Sequence, residues 1–314
     1  MALSCLVALS GHAANAQDYP RKPIRIVTGG VGGSVDVTTR VIAQGITGAF
    51  GQQIIVDNRA SGVIPGDIVA RAPADGYTLL LSTGIVWLLP LLQDRVPYDP
   101  VKDFSPLTLA ALSPNVLVVT QSLPAKTGKE LIALAKAKPK PGVLNYASTG
   151  DGGGAHLAAE LFRAMADVNI ERIPYKGGGD ALNAVIGGQV HIMFATAASG
   201  MPHVKSGRLN VLAVTTTQPS ALVPGVPTVA ASGLPGYESA AVFAMFAPAT
   251  TPAALRDLIH KKIVDTLARA DMKERLFKVG LEPVGSSPDE LTAFMKINIS
   301  RLGKVIRDAG IRAD

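Results

Sequence analysis

Three glycine-rich stretches hold the residues whose types and spacing point to chemistry. They are Gly29-Gly30-Val31-Gly32-Gly33-Ser34, the run from Thr149 to Gly154, and Lys176-Gly177-Gly178-Gly179. Each follows a β-rich run and precedes a helical one. A glycine loop between a strand and a helix leaves backbone N–H groups uncovered beside the positive helix end, where carboxylate or phosphate is the natural ligand. One helix end contributes about 0.3–2 kcal/mol toward a negative charge. A micromolar ligand needs about 8 kcal/mol, so several ends must converge and apolar area must be buried with them. Any tight strand-to-helix turn also uses glycine. Recurrence at equivalent places is what favours anion binding here.

Other chemistries find less support. Gly30-x-Gly32 followed by Asp57 suggests a dinucleotide fingerprint, and hence a nucleotide-dependent enzyme. The third glycine of that pattern falls on Val35, and Asp57 lies beyond the usual ~20-residue spacing. Gly32-Gly33-Ser34-Val35-Asp36 fails the G-x-S-x-G elbow at its last position. His12, His156, His191, His203 and His260 show no H-E-x-x-H spacing. His156 opens a helix beside the second glycine loop and either faces a ligand or lines that turn. Glu160, one turn later, reads as a solvated helix residue. Lys176 is the one cation expected in the cleft, pairing with a ligand or solvating its turn. No nucleophile–base pair emerges, so a non-enzyme is expected, with no metal and no cofactor.

The elements that must position these loops alternate. Strands are expected at Ile24–Val27, Ile54–Val56 and Tyr77–Ser82, with helices at Val35–Phe50 and Gly66–Arg71 between them. Asn115–Thr120 is a further buried strand, followed by a helix at Lys129–Lys138. A second series has strands at Leu144–Ser148, Glu171–Tyr175, His191–Ala195 and Leu209–Thr215, with helices at His156–Ala166 and Asp180–Ile186. Residues 216–237 read as loop, and Ser239–Ala247 returns to strand. The tail is helical, with Thr251-Pro252 and Ser287-Pro288 as helix starts; it contributes no new sheet and is expected to pack on the first lobe. This α/β pattern predicts two lobes of parallel sheet with right-handed crossovers. The segments near Asn115–Thr120 and Ser239–Ala247 cross between them. Lobe I comprises 17–115 plus 238–314, and lobe II comprises 116–237. Parallel sheets bind ligands at the carboxyl ends of their strands, and two facing lobes form a cleft that closes by hinge motion.

Composition sets the class. The 314 residues are 47% apolar and 17% charged, enough for a packed core. Aromatics at 5% leave few stacking platforms for single-stranded nucleic acid. The net charge of +6 is spread along the chain and comes with no nucleic-acid motif. The only cysteine, Cys5, lies in an apolar run from Leu3 to Ser10 ahead of Ala14-Asn15-Ala16. This reads as a signal peptide over 1–16, cleaved after Ala16, which places the mature protein in the periplasm; a cytoplasmic N-terminal helix is the alternative. No basic residue precedes the run, which points to a start codon placed too far downstream.

Several short blocks resemble the Bug/TctC family, the extracytoplasmic solute receptors of tripartite tricarboxylate transporters. They include Asp57-Asn58-Arg59, Asp75-Gly76-Tyr77-Thr78-Leu79-Leu80, Pro97 through Phe104, Leu144-Asn145-Tyr146-Ala147-Ser148, Pro174-Tyr175-Lys176-Gly177, Val226-Pro227-Thr228-Val229 and Gly233-Leu234-Pro235-Gly236-Tyr237. Their joint order spans nearly the whole mature chain. The resemblance implies a two-lobed type II periplasmic-binding-protein fold with two crossover strands and a ligand cleft between the lobes. It implies a small organic carboxylate as ligand and the transporter's membrane subunits as partners. A sensor role, docking on a kinase ectodomain, is a second reading in the binding class. Carried onto this chain, ligand contacts fall on Gly30, Val31, Gly32, Gly33 and Ser34, with Asp36 shaping the helix start. Ser82, Thr83 and Gly84 form wall. The second lobe contributes Ser148, Thr149, Gly150, Gly154, His156, Tyr175 and Lys176, and Ala195 and Thr196 complete the rim.

Three features depart from or add to the family pattern. Thr28 and Gly29 stand where proline and an aromatic residue are usual, implying a roomier pocket. Ala195-Thr196 replaces an acidic–amide pair, which makes an amino-acid ligand less expected. Trp87, in the run Ile85-Val86-Trp87, either stacks on a bulky ligand or belongs to the core. Together they suggest a carboxylate larger or more apolar than citrate.

Overall fold

The computed structural model describes residues 19–32, 34–59, 63–137, 144–149, 154–175 and 177–312. The expected signal peptide, Gly33, Gly150 and Lys176 lie outside the described residues.

In chain order the elements are β1 (Ile24–Thr28), α1 (Ser34–Phe50), β2 (Ile54–Asn58), α2 (Ile64–Ala70), β3 (Thr78–Thr83), α3 (Ile85–Leu92) and β4 (Phe104–Ser113). Then come β5 (Asn115–Thr120), α4 (Gly128–Ala137), β6 (Asn145–Thr149), α5 (Gly154–Ala166), β7 (Glu171–Tyr175), α6 (Gly178–Ile186), β8 (Ile192–Thr196), α7 (Ala197–Lys205) and β9 (Leu209–Val214). The chain ends with β10 (Ala241–Pro248), α8 (Ala253–Ala268), α9 (Ala270–Lys278), β11 (Glu282–Pro283) and α10 (Pro288–Asp308).

These form two sheets, ordered β2-β1-β3-β10-β4-β11 and β7-β6-β8-β5-β9. The central strands β3, β5 and β10 are nearly continuous apolar runs because both of their faces are covered. On α1, Asp36, Thr39, Ala43, Ile46 and Phe50 recur at three- and four-residue steps and form its buried stripe.

The sheets are mixed, not parallel as expected. β1, β2 and β3 run parallel, as do β6, β7 and β8. β10 and β5 run antiparallel to them. The reason is where each enters. The chain passes from β4 to β5 through Pro114 and returns into β10 after a long connection, so each incoming strand begins at the edge where the resident strands end. Asn115 thus pairs with Thr196, and Phe243 with Thr83.

Four elements went unread in the sequence: β4, α3, α7 and β11. β4 carries Pro106 inside it, and its pairing with β10 slips twice; such irregularities are where a strand accommodates proline. The tail also differs from expectation. β11 adds an edge to the first sheet, and α10 touches α3 and β4 as well as α5 of the second lobe. One apolar cluster accordingly runs through Trp87 and Leu88 on α3, Leu302 and Ile306 on α10, and Leu157 and Leu161 on α5.

The two crossings are bonded to each other. Asn115 N donates to Thr215 Oγ1 (3.1 Å), Thr215 N donates to Asn115 O (2.9 Å), Ser239 N donates to Thr215 O (3.0 Å), and Asn115 Nδ2 donates to Ser239 O (2.8 Å). The first glycine loop is bonded differently. Gly32 N donates to Asp36 Oδ2 (2.9 Å), Asn58 Nδ2 donates to Gly29 O (2.8 Å) and Asp36 Oδ1 (2.9 Å), and Arg40 Nε lies 2.8 Å from Asp36 Oδ1. Asp36 is 3% exposed. Burial alone would raise its carboxyl, but the Gly32 N–H, Asn58 and Arg40 outweigh that and hold it below the ordinary 3.8.

Two outcomes follow from these networks. Thr215→Val is isosteric and leaves the buried Asn115 N–H without its hydroxyl acceptor. Urea unfolding should show a loss of about 1–3 kcal/mol with an unchanged m-value. For Asp36, the depressed folded pKa makes its stabilisation complete above the unfolded value and lost as pH falls through the folded one. The melting-temperature gap between wild type and Asp36→Asn should be widest near neutral pH and close on acidification below pH 3.8. A gap that stays constant down to strong acid would refute the assignment.

Candidate ligand-binding site

The carboxyl ends of both sheets face one cleft of about 680 Å³. That lies within the ~300–1,000 Å³ typical of small-ligand sites. Five helices begin at its wall. Ser34 starts α1, Ile85 starts α3, Gly154 and Ala155 start α5, Gly178 and Gly179 start α6, and Thr196 caps α7 by accepting from Ser199 N at 3.3 Å. A Cβ added at Gly154, Gly178 or Gly179 would meet nothing within 4 Å. These glycines therefore relieve no clash among the described residues; their effect is to leave helix-start N–H groups uncovered. Between the helix starts the wall is apolar, with Leu88, Leu157, Leu182, Phe194 and Phe294.

Two charged side chains line the cleft among the described residues, Glu238 and Arg301. Arg301 Nη2 donates to Glu238 Oε2 at 3.1 Å and Nη1 donates to Gly236 O at 3.2 Å. Among the described residues, no group of three or more His, Cys, Asp or Glu is placed to hold a metal ion.

Of the residues singled out in the sequence, Ser34, Thr83, Gly84, Gly154, Ala195 and Thr196 line this cleft. Gly30, Val31 and Gly32 do not. Val31 is 77% exposed, and the Gly32 N–H is taken by Asp36, so this loop satisfies its own anion preference with an internal carboxylate. Ser82 is buried within β3 and stays off the lining. Ser148 is fully buried and accepts from Arg172 Nε at 2.7 Å. Tyr175 packs against the outer cluster of the second sheet. Thr149 ends β6, and its side chain lies outside the described residues.

The stacking reading of Trp87 is corrected. The ring is 1% exposed, sits edge-on to Phe246 and Phe294 (6.3 Å each), and donates from Nε1 to Asn298 Oδ1 at 2.9 Å. His156 is also corrected. It is buried on α5 and borders a separate polar groove with Glu160, Arg163, Arg172 and residues 309–312. Glu160 is no solvated residue: it is buried and accepts from Tyr146 OH (2.6 Å) and Arg163 Nε (2.9 Å).

The sequence reading missed the contribution of α10, whose Phe294, Asn298, Arg301 and Leu302 line the cleft, and missed Glu238 through Val242. The helix itself was legible from Ser287-Pro288, which forms a capping box with Glu290. The spacing of those four residues marks one face, but nothing in it says that the face reaches the cleft. Glu238 places one acidic group in the cleft wall, on a different segment from Ala195-Thr196 and paired with Arg301.

The chain is similar to known proteins over nearly its whole length. The model of the tripartite tricarboxylate transporter family receptor matches residues 38–311. BugT of Bordetella pertussis is 35% identical over 99% of this chain and 97% of its own length. The structure of Rhodopseudomonas palustris Rpa4515 with adipate is 33% identical with a TM-score of 0.77, covering 94% of this chain and 99% of that one. MatC of the same organism with bound malate is 27% identical with a TM-score of 0.72, covering 92% and 100%. The fold is that of a two-lobed solute-binding protein, and proteins of this kind are receptors, not enzymes. The chain belongs to the tripartite tricarboxylate transporter (TctC/Bug) receptor family of periplasmic binding proteins.

Proposed function

We propose that this receptor captures a small organic carboxylate in the cleft, closes over it, and presents it to the membrane subunits of a tripartite tricarboxylate transporter. The observation that carries this reading is the convergence of five helix starts on one cleft. Apart from α1, whose start is met by Asp36, each favours negative charge, and the glycine N–H groups at the starts of α5 and α6 are ready donors. Adipate and malate on the two similar receptors support the same ligand class. The apolar wall supports a carbon body longer or more apolar than that of citrate. Residues 17–115 with 238–314 and residues 116–237 are proposed as the closing lobes, with export following cleavage after Ala16.

Thermal stability of protein purified from the periplasm, measured against aliphatic and aromatic carboxylates, amino acids and NADH, tests this. Ligand at 100 times its Kd adds ~2.7 kcal/mol, so carboxylates should raise the melting temperature by several degrees and NADH should not. A shift with NADH alone would overturn the proposal. Gly178→Asp sharpens the test. The added side chain meets open space and suits a helix start, so stability should hold while carboxylate affinity falls at least tenfold. Uptake that persists without the membrane subunits would favour the sensor role.

A further inference from the structure

The wall contributed by α10 differs in chemistry from the helix starts. Asn298 is 8% exposed and lines the cleft. Trp87 Nε1 donates to its Oδ1 at 2.9 Å. An indole N–H is only ever a donor, so it fixes which end of the amide faces it. The oxygen is turned to Trp87 and the NH2 is directed away. Among the described residues, that NH2 donates to no protein acceptor.

One turn further along, Arg301 is held by Glu238, with the two side chains 22% and 23% exposed. Arg301 Nε is buried with no partner among the described residues. Glu238 cancels the guanidinium charge within the cleft wall itself. The α10 wall therefore offers hydrogen-bond donation without net positive charge.

We infer that this wall recognises a neutral oxygen acceptor, so that the ligand is a monocarboxylate carrying an uncharged carbonyl rather than a dicarboxylate. The inference rests on the carboxylate-receptor reading above and narrows its substrate class. A second carboxylate at this wall meets Glu238 as a like charge. Arg301 already carries the Glu238 carboxylate, so a second carboxylate shares one positive charge and leaves a poorly solvated wall with net negative charge, which is costly. A carbonyl oxygen accepts from the Asn298 NH2 and disturbs neither charge. Trp87 is then a positioning residue, acting on the ligand through Asn298.

The test is calorimetric titration with two matched pairs, adipate against monomethyl adipate and terephthalate against monomethyl terephthalate. In wild type the monoester of at least one pair should bind ten times more tightly than its diacid. Asn298→Leu removes the outward NH2 without adding charge, and should shrink the monoester advantage. Trp87→Phe removes the orienting N–H and should lower the same ratio without an equal change in diacid affinity. Glu238→Gln leaves Arg301 uncompensated and should move the preference toward the diacid. That reversal separates charge recognition from a simple preference of an apolar cleft for an apolar ester. Diacids that bind as tightly as their monoesters in wild type, or a ratio unmoved in Asn298→Leu and Glu238→Gln, overturn the inference while leaving the carboxylate reading intact. Failure of all four probes to bind overturns the inference, and failure of the whole carboxylate panel above overturns both.

Discussion

The structure depends on the bonded junction where the polypeptide crosses twice between its sheets. Asn115, at the first crossing, is tied through backbone and side chain to Thr215 and Ser239 on the return. Because both crossings are joined, the two sheets share one floor, and Asn115 and Ser239 through Val242 are that floor. The same constraint dictates strand direction. A strand that enters from the floor starts where the resident strands end, so β5 and β10 must run against them. It also brings the carboxyl ends of two separate parallel series, and every helix that starts there, to one cavity.

The electrostatics of that cavity come mainly from the backbone. Its described lining has one cation and one anion, and these pair with each other. What remains is a set of helix starts whose N–H groups are uncovered where glycine stands. Individually each is weak, about 0.3–2 kcal/mol; their effect depends on convergence and on the apolar wall that limits solvent. The first glycine loop shows the same physics turned inward. Asp36 occupies the donor site that an external anion would use, and Arg40 and Asn58 hold the carboxylate there. Equivalent-looking loops thus differ: one is closed by its own chain, while the helices that follow the other two start at the cleft, at Gly154 and Gly178.

α10 links the two halves of the molecule. Its apolar residues join a cluster shared with α3 and α5, while Asn298 and Arg301 on the same helix reach the cleft. The Trp87–Asn298 bond couples these two tasks, because a core indole sets the orientation of an amide in the wall.

The alternating β and α runs, the glycine loops after strands, and the helix starts at Ser287-Pro288 and around His156 were determined by the sequence alone. Each is a local matter of periodicity, capping and backbone freedom. The family blocks carried the fold with them for the same reason, since their order is a property of the chain. Direction and facing were decided only in three dimensions. Trp87, His156 and Glu160 carry the same residue types whether they meet ligand, core or a second groove, and the packing of α3, α5 and α10 chose among these. β4 was hidden because Pro106 and its alanine–leucine run fit a strand only when β10 slips past it twice. Arg301 and Glu238 lie far apart in the chain, and only the returning crossing and the long final helix bring their charges into contact.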